Sequence, residues 1–464
     1  MRRLSRLAAL AACALAASAC GLLEPSVPQA RPEVPANWEP AAGAADSAEA
    51  AGIGWRDFLA SPKLVALVEQ ALANNRDLRV AVLNVERARA LHQIQRSERF
   101  PSVDATGALV RSGGDNRDTT SAYTASVGIT QFEIDLFGRV MSLDKAALER
   151  YFAEEENQRS ARLALVAEVA NAWLALAADR EQLRLAKATL ATREDEFRLS
   201  ARRKELGAIS ALDHAQVRTL VEAARADAAR YQGQVAADRN ALALLVGGPF
   251  DPALLPEGWE GTVTRWKGVP AGLASELLLR RPDIRAAEHS LLAANANIGA
   301  ARAAFFPSIT LTGSAGTAAN ELSGLFKSGT FAWSVVPQVN LPIFQGGRLT
   351  AGLEVATVDR DIALARYERS IQSGFREVAD ALAFSATLAD QRRALEATVE
   401  AASEADRLAL ARYQSGQDSY LGRLVNQRTL YVSQQGLIGA RLAEQANWVT
   451  LYKVLGGDWR EAGR

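Results

Sequence analysis

Along most of the chain, apolar side chains recur at steps of three and four. One such seam runs through Val217, Val221, Ala224, Ala228, Tyr231, Val235, Asp238, Leu242 and Leu245. A second runs through Leu421, Leu424, Arg428, Tyr431, Gln435, Ile438, Leu442, Gln445, Val449 and Tyr452. Both are heptad patterns with polar interruptions. Arg428, Gln435 and Gln445 would cost stability in a dry core, so that seam is expected to face water or a partner there. The periodicity predicts helical runs over 62–98, 139–205, 212–246, 271–304, 348–414 and 419–455. The runs at 139–205 and 348–414 would each extend about 100 Å at 1.5 Å per residue. A globular domain cannot bury such helices, which points to a coiled coil, a bundle or a tube.

Four short segments break the helical period: 101–111, 122–135, 308–316 and 331–343. In the last, Phe331, Trp333, Val335, Val339, Leu341 and Ile343 fall on one face and Ser334, Gln338 and Asn340 on the other. That is period-two alternation at the length of a transmembrane β-strand. Pro337 is out of keeping with a strand interior. The links, Ser112 to Asn116 and Ala319 to Gly329, are polar and turn-prone, so each pair reads as a hairpin. The same pattern also permits a small soluble β-subdomain capping a helical bundle. Four strands cannot close a barrel, and an open edge in lipid leaves backbone groups unpaired. Membrane-spanning strands here therefore demand an oligomer, a dimer at least. No stretch is expected to cross as a helix; Leu163 to Ala178 comes nearest, interrupted by Glu168 and Asn171.

The chain repeats itself. Asn75-Arg76-Asp77-Leu78-Arg79 resembles Arg281-Pro282-Asp283-Ile284-Arg285, and Phe100-Pro101-Ser102 matches Phe306-Pro307-Ser308, both at an offset of 206. Leu206-Gly207 corresponds to Ser415-Gly416, and Val246-Gly247-Gly248 to Leu455-Gly456-Gly457, at an offset of 209. A period this long marks a duplicated domain, not a solenoid. Each half reads as a helix ended by Phe-Pro, a β-hairpin, a very long helix broken at Gly207 or Gly416, and a return helix ended by Gly-Gly. The expected organisation is a signal peptide over 1–19, a tether over 20–60, a first repeat over 61–250, a linker over 251–270, a second repeat over 271–457 and a tail over 458–464.

Composition narrows the function. The chain carries 53 basic and 53 acidic residues, which gives no electrostatic footprint for nucleic acid. Arg2, Arg3 and Arg6 precede an apolar stretch from Leu7 to Ala19, and Ala17-Ser18-Ala19 precede Cys20. This reads as a secretory signal peptide. Small residues followed by cysteine resemble a bacterial lipobox, so Cys20 is the expected lipidation site, with Cys13 the alternative after a much shorter apolar run. Gly21 favours the outer membrane. Residues 24–46, rich in proline and alanine, read as an extended tether. His92, His214 and His289 are scattered without metal-ligand spacing, and the Gly-Gly pairs lack a phosphate-loop or dinucleotide pattern. No cofactor, metal or catalytic residue is expected, and the reading is not an enzyme. The only methionines are Met1 and Met141, which disfavours soft metals as dedicated cargo.

Several stretches resemble the TolC-like outer-membrane efflux family, in its lipoprotein branch (NodT or OprM-like). They are Arg280 to Glu288, Ala301 to Ile309, Leu341-Pro342-Ile343-Phe344-Gln345-Gly346-Gly347-Arg348, and Leu451 to Gly457; Asp135-Leu136-Phe137-Gly138-Arg139 is the first-half counterpart of the third. The resemblance covers nearly the whole mature chain. It implies a mainly α fold with a membrane β-barrel portion, closed as twelve strands by a homotrimer and continued by a periplasmic coiled-coil tunnel. It further implies a passive exit duct in the outer membrane, working with a periplasmic adaptor and an inner-membrane transporter of RND type. A duct for type I-like protein secretion, or a pore-less periplasmic scaffold lipoprotein, remains as an alternative. By the same resemblance, the periplasmic gate and adaptor-docking region should lie at the helix breaks, with Leu206, Gly207, Asp213, Gly416, Asp418, Tyr420, Arg423 and Val425. Family members often carry carboxylates where this chain has Gly422 and Val425, so an acidic, cation-selective ring is in doubt. Asp213 is either part of such a ring or an ordinary helix N-terminal acid. Arg423 is expected to pair with Asp213 or Asp418.

Overall fold

The computed structural model describes residues 23–35, 54–115, 117–259, 261, 263–265 and 275–457. Cys13, Cys20, the leader, most of the tether and the tail lie outside the described residues. The elements in chain order are α1 (Trp55–Phe58), α2 (Pro62–Asn74), α3 (Arg76–Ser97), β1 (Val103–Gly114), β2 (Arg117–Ile134), α4 (Arg139–Glu205) and α5 (Ala211–Val246). The second half follows with α6 (Pro282–Ala303), β3 (Ser308–Ala319), β4 (Phe331–Asn340), α7 (Arg348–Gln414) and α8 (Tyr420–Val454). Contacts divide the chain into two compact units that cut across the sequence repeat. The first comprises residues up to Pro32, Val82–Asn157 and Arg285–Ser370; the second comprises Glu33–Ala81, Gln158–Ile284 and Ile371 onward.

The first unit holds one antiparallel sheet in the order β1-β2-β3-β4. Its register sorts side chains cleanly. Leu109 faces Tyr123, Val103 faces Ile129, Ile309 faces Val339 and Ala315 faces Trp333, all on one apolar face. The opposite face carries hydroxyl pairs: Thr106 with Ser126 at 3.0 Å, Ser112 with Thr120 at 3.0 Å and Ser314 with Ser334 at 2.9 Å. Strand β2 would lose this sorting near its end without a bulge. Gln131, at φ +52°, adds one residue against β3, so Phe132 opposes Leu311 and Ile134 opposes Ile309. The extra residue returns Phe132 and Ile134 to the apolar face and puts Glu133 on the polar one, where Arg139 Nε donates to it at 2.9 Å. Gly128 and Gly316 are required by close approach, since a Cβ at either would overlap the paired strand's backbone. Pro337 sits on β4, which among the described residues pairs on one side only, the place where a strand tolerates proline.

Among the described residues nothing covers much of the apolar face. Trp333 is 70% exposed and Val335 59%. A soluble subdomain would bury such residues against its bundle.

The second unit carries a core of Trp55, Phe58, Leu64, Leu67, Val169, Trp173, Leu174, Leu242, Val263 and Val449, with Phe58 stacked on Tyr452 at 4.3 Å. This core refines the reading of several segments. The tether does not extend to residue 60, because Trp55, Phe58 and Leu59 are core residues. Within the linker, Leu255 and Val263 are buried and Leu59 bridges Thr264. An 18-residue stretch of α4 is apolar enough to cross a membrane, but more than half of it is buried inside the fold. Its apolarity is consumed by packing. The polar seam residues divide: Arg428 is exposed, as expected, whereas Gln445 is buried and accepts from Val263 N–H at 2.9 Å, and half-buried Gln435 donates to Tyr231 Oη at 3.2 Å. The first helical run also divides at Asn75, whose Oδ1 caps the new helix by accepting from Leu78 N–H at 2.8 Å.

The sheet generates a direct expectation. Val335→Arg places a charge on the apolar face, at a cost of about 2–4 kcal/mol at a bilayer midplane. It should sharply lower the yield of heat-resistant oligomer on a semi-native gel, whereas Ser334→Arg on the hydroxyl face should be milder. Equal tolerance would argue against membrane-spanning strands.

Candidate functional site

The two helix breaks, both in the second unit, share one geometry. At the end of α4, Ala208 N–H reaches back to Arg203 O at 2.8 Å while Gly207 takes φ +69°. At the end of α7, Gln417 N–H reaches Arg412 O at 2.9 Å while Gly416 takes φ +75°. Glycine terminates both helices because this left-handed cap costs any other L-residue strain. Ser210 and Ser419 then start the return helices as N-caps.

The caps differ in strength. Ser210 Oγ accepts from Asp213 N–H at 3.0 Å, and Asp213 Oδ2 accepts from Ser210 N–H at 3.2 Å, a complete capping box. In the second half Ser419 Oγ accepts from Gly422 N–H at 3.4 Å, and Gly422 has no carboxylate to return the bond. Asp213 thus serves as the N-terminal acid of α5. Asp418 lies on the surface beside Arg412, with Nε 2.6 Å from its Oδ2.

Arg423 pairs with neither aspartate. Its Nη2 donates to Glu196 Oε1 at 2.6 Å, with both side chains largely buried. Gln427 Nε2 donates to the same oxygen at 2.8 Å, and Arg193 Nη1 donates to Glu196 Oε2 at 3.1 Å and also bonds Gln427. These four side chains join α4 to α8 within about four turns of the breaks. Asp406 of α7 lies close by, its carboxyl raised above the usual range by burial, against the lowering pull of Arg423 and Arg193. Asp406 Oδ1 and Arg423 Nε are both enclosed without a hydrogen-bond partner. Tyr420 leans on Tyr413 with ring centroids 5.2 Å apart, and burial pushes its phenol up to about 12. Arg203 donates to Tyr413 Oη. Leu206 is 83% exposed and Val425 45%, so both present apolar surface. Sequence reasoning missed Arg193, Glu196, Asp406 and Gln427.

A second polar layer lies farther along the same helices. Asp179 of α4 is pushed up to about 6 by burial and by Asp238 of α5. Tyr431 Oη donates to Asp227 Oδ2 at 3.1 Å. The repeat motif around Arg281 is a buried structural joint. Its guanidinium donates to Asp283 at 2.7 Å, Glu377 at 2.8 Å and Val454 O at 3.0 Å. Among the described residues no group of three His, Cys, Asp or Glu is placed to hold a metal.

The family described as "Outer membrane efflux protein" matches residues 67–248 and 273–457. The chain is 45% identical, over 98% of its length and 96% of the relative's, to "Probable efflux pump outer membrane protein TtgC" of Pseudomonas putida. It is 43% identical to "Outer membrane protein OprJ" of Pseudomonas aeruginosa, over 97% of this chain and 95% of that one. Among solved structures it is similar to the open state of the MtrE outer membrane channel of Neisseria gonorrhoeae. That likeness has a TM-score of 0.86 and 39% identity, over 94% of this chain and 98% of that chain.

The unequal caps set an expectation for the two breaks. Asp213→Ala removes half a capping box, worth about 1 kcal/mol, and should speed amide hydrogen exchange over 210–214. Gly422→Asp should supply the missing half and slow exchange over 419–423. No change in either segment would mean that the serines alone hold these ends.

Proposed function

This chain belongs to the outer membrane efflux protein family, and on that premise we propose that three copies join edge to edge into a twelve-stranded barrel that serves as the passive exit duct of a tripartite pump. It is an outer-membrane efflux component; the finer reading concerns how it is built and opened. The observation that carries it is the four-stranded sheet, with one apolar face, one hydroxyl-lined face and strands β1 and β4 each pairing on one side only. Three such sheets closed on one another leave no edge and turn their apolar faces to lipid. Each sequence repeat then contributes one hairpin to the barrel and one pair of long helices to a periplasmic tunnel. Cargo arrives from an inner-membrane transporter of RND type through a periplasmic adaptor, and the duct itself does no chemistry.

The lipid anchor belongs to the same reading, with Cys20 as the acylated residue. The gate is read at the helix breaks, with Leu206, Gly207, Gly416, Tyr420 and Val425 forming the mouth and the turn presented to an adaptor. Asp213 and Asp418 are occupied locally, as a cap and as a surface ion pair, so they are minor contributors to closure. The charged knot on Glu196 is the better support for a latch. Truncating one partner of a buried pair costs about 3–5 kcal/mol because the other charge is stranded.

Single-channel conductance of the purified trimer in a planar bilayer tests this. Arg423→Ala should raise the open conductance or open probability clearly, and Asp213→Ala with Asp418→Ala together should change it little. A wild type that never conducts would sink the duct reading. An Arg423→Ala channel as tight as wild type would move the gate to the apolar residues Leu206 and Val425.

A further inference from the structure

The N-terminal segment from Leu23 onward is seated on the first unit through a built site. The Glu24 side chain is only 9% exposed, and its Oε2 lies 2.7 Å from Lys145 Nζ of α4. Its Oε1 accepts from Asn295 Nδ2 of α6 at 2.9 Å, and the same amide donates to Pro25 O at 2.8 Å. Asn295 is fully buried. One carbonyl back along the segment, Leu23 O accepts from Arg302 Nη1 at 3.2 Å. The helix surface beneath is cut to fit. A Cβ at Gly299 would stand 3.3 Å from both N and Cα of Glu24, and 2.7 Å from Ser142 Oγ. Farther on, Arg31 N–H donates to Glu368 Oε1 of α7 at 3.1 Å.

A proline- and alanine-rich tether has no need of this. Enclosing a carboxylate is costly unless a cation and a hydrogen-bond donor meet it, and both are present here. We propose that Ser142, Lys145, Asn295, Gly299 and Arg302 form a dedicated slot for the peptide Leu23-Glu24-Pro25, reading the Glu24 carboxylate and holding the chain's lipid-bearing end at the base of the sheet. The proposal rests on the reading of Cys20 as the acylated residue. Its geometric content is a ruler. Arg302 lies in the last turn of α6, and β3 begins at Ser308. Leu23 is therefore pinned at the sheet end of that helix. Two residues separate it from Cys20, three steps of chain with a reach of at most about 11 Å. The acyl chains would enter the membrane beside the strands that cross it, and a pinned strap would hold each subunit's sheet end against the bilayer while the edges find their partners. An anchor at Cys13 would add seven further residues of slack and abolish the ruler.

The test uses the lipidated full-length protein with a Leu23→Cys reporter and a maleimide probe. Acylation blocks Cys20, so protein without the reporter should take up no probe; uptake there would sink the anchor reading and leave the slot to be judged separately. With the reporter, labelling should be slow. Glu24→Lys or Gly299→Val should each speed it about tenfold, the release expected when a charge-assisted hydrogen bond is lost. Lys145→Glu added to Glu24→Lys should restore slow labelling, which a general loosening of the fold would not do. One common rate across all these variants, or a reporter that labels at the rate of a free peptide from the outset, overturns the slot.

Discussion

The unpaired edges of β1 and β4 are the constraint from which the remaining architecture follows. Each strand has a partner on one side within the chain. The sheet's apolar face, with Trp333 and Val335 uncovered, suits only a hydrocarbon environment or a partner. In hydrocarbon no water can satisfy the free N–H and C=O groups at an edge, so the edges must meet other edges. Closure by copies of the same chain answers both demands at once. The hydroxyl pairs on the opposite face then line a wet interior, where Thr, Ser and Gln cost nothing to expose. Even the bulge at Gln131 serves this sorting, since it keeps Phe132 and Ile134 with the apolar set and Glu133 with the polar one.

The duplication supplies two copies of the helical plan, which differ at their breaks. Gly207 and Gly416 terminate α4 and α7 with the same left-handed cap. The return helices begin on serine in both halves, but only Ser210 has an aspartate three residues on to complete a box; Ser419 has Gly422. The second break is thereby the weaker of two otherwise matched ends. Away from the breaks, α4 and α8 are joined by Arg193, Glu196, Arg423 and Gln427, a largely buried knot in which two guanidinium groups and an amide share one carboxylate. Such a knot is stable while whole and costly when partial, which is the property a two-position element requires.

Much of this was legible in the sequence because it depends on local rules. A helical composition without strand or turn signals, a glycine able to take positive φ and a period of two are all written in neighbouring residues, so the limits of α4 and α7 and the faces of β4 could be read directly. What escaped depends on contacts between distant residues. Arg423 and Glu196 are 227 positions apart, and nothing near Arg423 distinguishes Glu196 from Asp213 or Asp418 as its partner. Trp55 and Phe58 looked like part of a tether because their helix is a single turn; only the core they enter identifies them. Gln435 and Gln445 looked misplaced on an apolar seam because their partners, Tyr231 and Val263, lie on other segments. The bulge at Gln131 has no local marker, since glutamine at positive φ is not a glycine signal. The seat of Glu24 depends on Lys145 and Asn295, which belong to two different helices.

Edge closure between copies is the central claim, and disulfide trapping reads it most directly. Cysteine is placed at Thr106, Ala108 or Val110 on the hydroxyl face of β1, each combined with Ser334→Cys on the same face of β4, and outer membranes are oxidised. At least one pair should fall within the roughly 5.5 Å Cα separation that a disulfide needs. The account predicts a covalent ladder of monomer, dimer and trimer from that pair, with no trimer from either cysteine alone. Monomer from every combination, in protein that otherwise runs as an intact oligomer, would show that β1 and β4 do not meet between copies and would contradict the barrel.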